Sequence, residues 1–98
     1  MVNTDFTKAF LHFIHVRGEY NNYDWEFVES SCEYSWQFFS FNLKHRIIEE
    51  YVMRLLLSIS TIYSLQLRIE VPNTSLLVTV MGQDEQISKF VEQWLPKE

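Results

Sequence analysis

The chain reads as an α+β domain in α-β-β-α-β-β-α order, with a four-stranded, mainly antiparallel sheet and helices packed on one face. Two observations predict it. Leu65-Gln66-Leu67-Arg68-Ile69-Glu70-Val71 alternates apolar and polar at period two, breaks at Pro72-Asn73-Thr74, and resumes as Leu76-Leu77-Val78-Thr79-Val80. A helix-period pattern precedes this hairpin and another follows it, so a helix–hairpin–helix unit forms the centre of the domain.

The elements follow in order. The first helix is expected from Asp5 to Arg17, with Thr4 as its cap, Asp5 at the positive end of the dipole and Gly18 as a left-handed stop. Phe6, Phe10, Phe13 and Ile14 share one face of it. Residues 19–24 read as a polar loop. Trp25 to Glu29 is a short strand candidate and Tyr34 to Phe41 a stronger one. In the latter, Tyr34, Trp36 and Phe38 share one side, and Phe39 and Phe41 the other. Aromatic residues on both sides imply a central strand or one covered by a partner. Asn42 is placed to cap a long helix from Leu43 to about Ile62, whose main stripe is Ile47, Ile48, Tyr51, Val52, Leu55 and Ile59. The last helix runs from Asp84 to Leu95, with Ile87, Phe90, Val91 and Trp94 on one face and Pro96 ending it.

Length and composition set limits on function. The 98 residues make one domain, 1–98, and 47% apolar with 16% aromatic residues lies far from a disordered composition. A net charge of −5 with scattered Lys and Arg, grouped only at Lys44-His45-Arg46, argues against direct nucleic-acid binding, which needs clustered cations to release counterions. A single cysteine, Cys32, excludes an internal disulfide and suits a reducing, cytoplasmic setting. No cleavable leader pattern stands at the N-terminus, and no run approaches the roughly 18 apolar residues of a membrane span.

Recognisable chemistry is absent from the motifs. Phosphate-cradling loops need glycines for close backbone approach, and Gly18 and Gly82 each stand at an expected helix boundary. His12 and His15 stand three apart on the first helix, but a metal site needs a third ligand, and nothing brings Cys32 or His45 to them. Glu50 and Arg54 form an i,i+4 surface pair. No catalytic, cofactor-binding or metal-ligating residue is assigned, and no cofactor is expected.

Two surfaces stand out instead. Glu19, Asp24, Glu26, Glu29 and Glu33 occur with no Lys or Arg between them, interleaved with or beside Tyr20, Tyr23, Trp25 and Tyr34. This segment is either a solvated edge kept soluble by charge or an acidic–aromatic docking face for a basic partner. Met53, Leu56 and Leu57 widen the apolar arc of the long helix beyond one core-facing stripe. Either another helix packs over them, or they form a subunit or partner interface.

The α-β-β-α-β-β-α order over nearly the whole chain resembles the pterin-4a-carbinolamine dehydratase family. Trp25 near the first strand, Phe39-Ser40-Phe41 entering the long helix, the hairpin 65–80 and the closing helix 84–95 carry the resemblance. The resemblance implies a habit of oligomerising and docking on other proteins. The family's catalytic His-His-Pro motif is replaced here by Ile62-Tyr63-Ser64-Leu65-Gln66, and its Thr-His element by Met81-Gly82, so no catalytic residue carries over. A β-α-β-β-α unit with an N-terminal extension fits the same order.

The sequence therefore points to a non-enzymatic protein-interaction module, an accessory subunit, adaptor or assembly factor that forms a homo-oligomer. Tyr23, Trp25, Glu26 and Glu29 make one expected contact surface, and Met53, Leu56 and Leu57 another. The expected partner is a protein, basic where it meets the acidic segment, with no membrane involved. Two alternatives stand beside this reading. One is an acidic inhibitor filling a basic nucleic-acid-binding groove. The other is a dehydratase-like enzyme with an altered active site.

Overall fold

The expected order of elements is present in the computed structural model, which describes residues 2–17, 25–44, 49–71 and 75–97. Helix α1 spans Val2–Arg17, strand β1 Trp25–Glu33, β2 Trp36–Leu43, α2 Glu49–Tyr63, β3 Gln66–Glu70, β4 Leu76–Gln83 and α3 Asp84–Trp94. The strands form one antiparallel sheet in the order β1-β2-β4-β3. The expectations placed on Gly18, Tyr20, Tyr23, His45, Ile47, Ile48 and the turn at residues 72–74 lie outside the described residues, as do the side chains of Glu49, Glu50 and Tyr51.

Several boundaries differ from the sequence reading, each for a tertiary reason. Helix α1 already includes Val2, so Thr4 lies within it and does not cap it. Strand β1 continues past Glu29 to Glu33 because Ser30, Ser31, Cys32 and Glu33 gain a full ladder with β2. Asn42 is a strand residue, paired with Glu26 on one side and Leu77 on the other, and not a helix cap. Strand β4 runs through Met81 and Gly82 to Gln83 and passes directly into α3. Ser64, with φ 58°, takes the left-handed conformation just after the last residue of α2 and turns the chain into β3.

The core lies between the helices and one row of the sheet. Phe39, Phe41 and Leu43 from β2 and Leu76, Val78 and Val80 from β4 are buried there. They meet Phe6, Phe10, Phe13 and Ile14 of α1, Val52, Leu55, Leu56 and Ile59 of α2, and Ile87, Phe90 and Trp94 of α3. Aromatic rings make the joints. Phe6 stacks on Phe39 and Phe10 on Phe41, each with centroids 4.1 Å apart. Such pairs add about 0.5–1.5 kcal/mol each beyond their burial.

Strand β2 is central, as its aromatic residues on both sides imply. Its inward row is covered by helices. Its outward row holds Trp36, Phe38, Ser40 and Asn42, over which no helix packs among the described residues.

Candidate interaction surface

An irregularity in β1 builds this surface. Glu26 pairs with Asn42 and Phe27 with Phe41, but the next pairing is Glu29 with Ser40, so Val28 is the extra residue of a β-bulge. Side chains alternate along a strand, and an odd separation of three would send Glu26 and Glu29 to opposite faces. The bulge cancels that. Glu26, Glu29, Ser31 and Glu33 all stand opposite the outward row of β2, on the face away from the helices.

Across the sheet, the same face carries Leu77, Thr79 and Met81 of β4, paired with Asn42, Ser40 and Phe38. Trp36, Phe38, Leu77 and Met81 are each half-buried, with no helix over them among the described residues. Between them the Ser40 and Thr79 hydroxyls lie 3.1 Å apart in a cross-strand hydrogen bond. The β3 border adds Arg68 and Glu70, which pair with each other at 3.5 Å. Glu26 meets Lys44 at 3.4 Å, both side chains more than half exposed, a geometry that contributes at most about 1 kcal/mol. Glu29 and Glu33 have no ionic partner among the described residues. The surface is thus an apolar centre with an acidic border along β1.

The sequence-derived surfaces divide in the structure. Trp25 does not accompany the glutamates: it pairs with Leu43 on the helix side and packs edge-on to Phe10, with centroids 5.4 Å apart. Its indole Nε1 is buried without a hydrogen-bond partner among the described residues. Leu56 is wholly buried in the core, because it falls on the same helical stripe as Val52 and Ile59. Leu57 is 54% exposed, and Met53, one turn before it, is half-buried. Trp36, Phe38, Leu77 and Met81 were not among the expected contact residues. The pattern put Trp36 and Phe38 on one side of their strand, and recognising that side, with Leu77 and Met81 beside it, as the surface required knowing which face the helices take.

His12 and Cys32 each hydrogen-bond to a main-chain carbonyl. The His12 ring donates through Nδ1 to the Trp94 carbonyl at 3.0 Å, so it closes the end of α3. Cys32 is exposed in β1, with its thiol 3.6 Å from the Tyr34 carbonyl. Among the described residues, no group of three or more His, Cys, Asp or Glu could hold a metal ion, and no helix is long and apolar enough to cross a membrane. Shallow clefts lie beside Tyr63 and Lys89, and between Arg17 and Arg54.

Compared with known protein families, curated proteins and solved structures, the chain matches none.

Proposed function

We propose that this chain is a protein-interaction module that docks a basic partner on the uncovered face of its sheet. One observation carries the reading: the bulge at Val28 sets Glu26, Glu29 and Glu33 on the same face as the half-buried Trp36, Phe38, Leu77 and Met81. Carboxylates along the border attract a cationic partner and orient it during encounter. Aromatic and methionine side chains at the centre offer the contact area that interface cores favour. The proposal assigns no catalytic residue and no cofactor, and the accessory-subunit, adaptor and assembly roles all fall within it.

A second reading has its own observation. Leu57 is 54% exposed on α2 with half-buried Met53 one turn before it, and this outer strip suits self-association of the chain. Sedimentation of the purified protein over a range of concentrations tests it.

The main reading is tested by capture from the native source at low and high salt, with the natural chain and with Glu29→Lys/Glu33→Lys side by side. The expected result is a basic protein retained at low salt, reduced at high salt, and missing from the charge-reversed variant. A partner held equally by both chains would overturn the proposal.

A further inference from the structure

The edge of β1 bounds the acidic border, and its order of charges selects a kind of partner. Strand β1 pairs on one side with β2 and is the outermost strand of the sheet. After the bulge its ladder is regular from Glu29 to Glu33. Over those five residues Glu29, Ser31 and Glu33 face away from the helices, while Ser30 and Cys32 face the helix side.

We infer that this edge, with which no further strand pairs among the described residues, is a strand-addition site for an extended, basic segment of a partner protein, carrying Lys or Arg four residues apart. The inference rests on the interaction role proposed above. An added strand places its own residues directly opposite those of β1, close enough for cross-strand pairs to interact. Cations opposite Glu29 and Glu33 meet two carboxylates that have no other ionic partner among the described residues. Between them, the small Ser30 and Cys32 side chains leave room for β-branched neighbours.

The same order of charges argues against a second copy. An antiparallel self-pairing centred on Ser31 sets Glu29 of one chain opposite Glu33 of the other, and like charges directly opposite are destabilising. The bulge limits the regular edge on its N-terminal side. In that register the edge is guarded against itself and open to the opposite charge.

The test uses short capped peptides containing Lys-Val-Thr-Val-Lys, the Glu-for-Lys counterpart, and the Lys peptide with its valine nitrogens methylated. Binding is read by fluorescence anisotropy at low salt, and strand formation by amide hydrogen exchange in residues 29–33. The expected result is binding of the Lys peptide with slowed exchange there, and affinity lower by roughly tenfold or more for the other two. Glu29→Lys/Glu33→Lys, both at exposed positions, should reverse the preference toward the Glu peptide. Equal binding of the methylated peptide would overturn strand addition while leaving charge-driven docking intact. No peptide binding, alongside a basic partner captured from the native source, would overturn it in the same limited way. Protection of residues 29–33 in a dimer of the chain itself, in place of the peptide, would also overturn it.

Discussion

The indole N–H of Trp94 donates to the Tyr63 hydroxyl across 2.6 Å, joining the last residue of α3 to the last residue of α2. Helix α1 also meets the same residue, with Phe13 edge-on to the indole at 5.0 Å between centroids. His12 donates to the Trp94 carbonyl, and the Arg17 guanidinium lies 5.4 Å from the centroid of the indole. Trp94 is therefore the point where all three helices are held together at one end of the core. Tyr63→Phe keeps the ring, which packs edge-on to Phe90, and removes only the acceptor. The buried indole donor is left unpaired, a cost of about 1–2 kcal/mol. Chemical denaturation should show that loss with an unchanged denaturant dependence; stability equal to the natural chain would mean that the bond contributes nothing net.

Gly82 is fixed by space. It lies buried in β4, and a Cβ there would collide with Cδ2 of Leu65 and stand 3.3 Å from Cδ1 of Ile87. Leu65 is buried just before β3, and Ile87 is on the first turn of α3, so neither side chain has open room to retreat. Gly82→Ala should destabilise the fold by about 1–3 kcal/mol, the usual range for overpacking a filled core. Thermal unfolding is the direct check, and a rise in melting temperature would show that Leu65 rotates away without cost.

Much of this arrangement was legible in the residue pattern, and its failures have physical causes. Period-two alternation from Leu65 to Val71 marks β3, along which exposed and half-buried residues alternate. The core residues of α1 fall where their spacing puts them, since Phe6 and Phe10 lie on β2 and Phe13 on Phe90 and Trp94 of α3. Strand ends are another matter. Nothing local makes Ser30-Ser31-Cys32 a strand; the neighbouring ladder does. The bulge at Val28 is likewise a property of pairing, and it alone brings Glu26 and Glu29 to one face. Grouping Trp25 with those glutamates followed from adjacency in sequence, which a strand converts into opposite faces.

Leu56 and Leu57 are neighbours in sequence with opposite fates, and substitution should separate them cleanly. Leu56 is fully buried, so Leu56→Ala should cost about 2–5 kcal/mol through lost burial and the cavity left behind. Leu57 projects outward from α2, and Leu57→Ser should change stability by less than about 1 kcal/mol. If α2 mediates self-association, Leu57→Ser lowers the sedimenting mass at high concentration while the melting temperature holds. A large stability loss from Leu57→Ser would place it in the core instead.

Phe38 allows the apolar and charged parts of the proposed docking face to be weighed separately. It stands between Ser31 and Met81 on the face away from the helices, half-buried by its neighbours. Phe38→Thr keeps a strand-favouring residue and leaves every carboxylate in place. Loss of a half-covered ring should cost about 1 kcal/mol of stability, well short of unfolding. Charge–charge attraction fades as salt shortens the screening length to about 3 Å at 1 M, whereas apolar contact does not weaken in this way. Phe38→Thr should therefore lower whatever retention of the basic partner persists at high salt, and alter the salt-sensitive part little. Glu29→Lys should do the reverse. If both variants lose the same fraction at every salt concentration, the ring and the carboxylates act as one contact, and the face works as a single site rather than as a steering border around an apolar anchor.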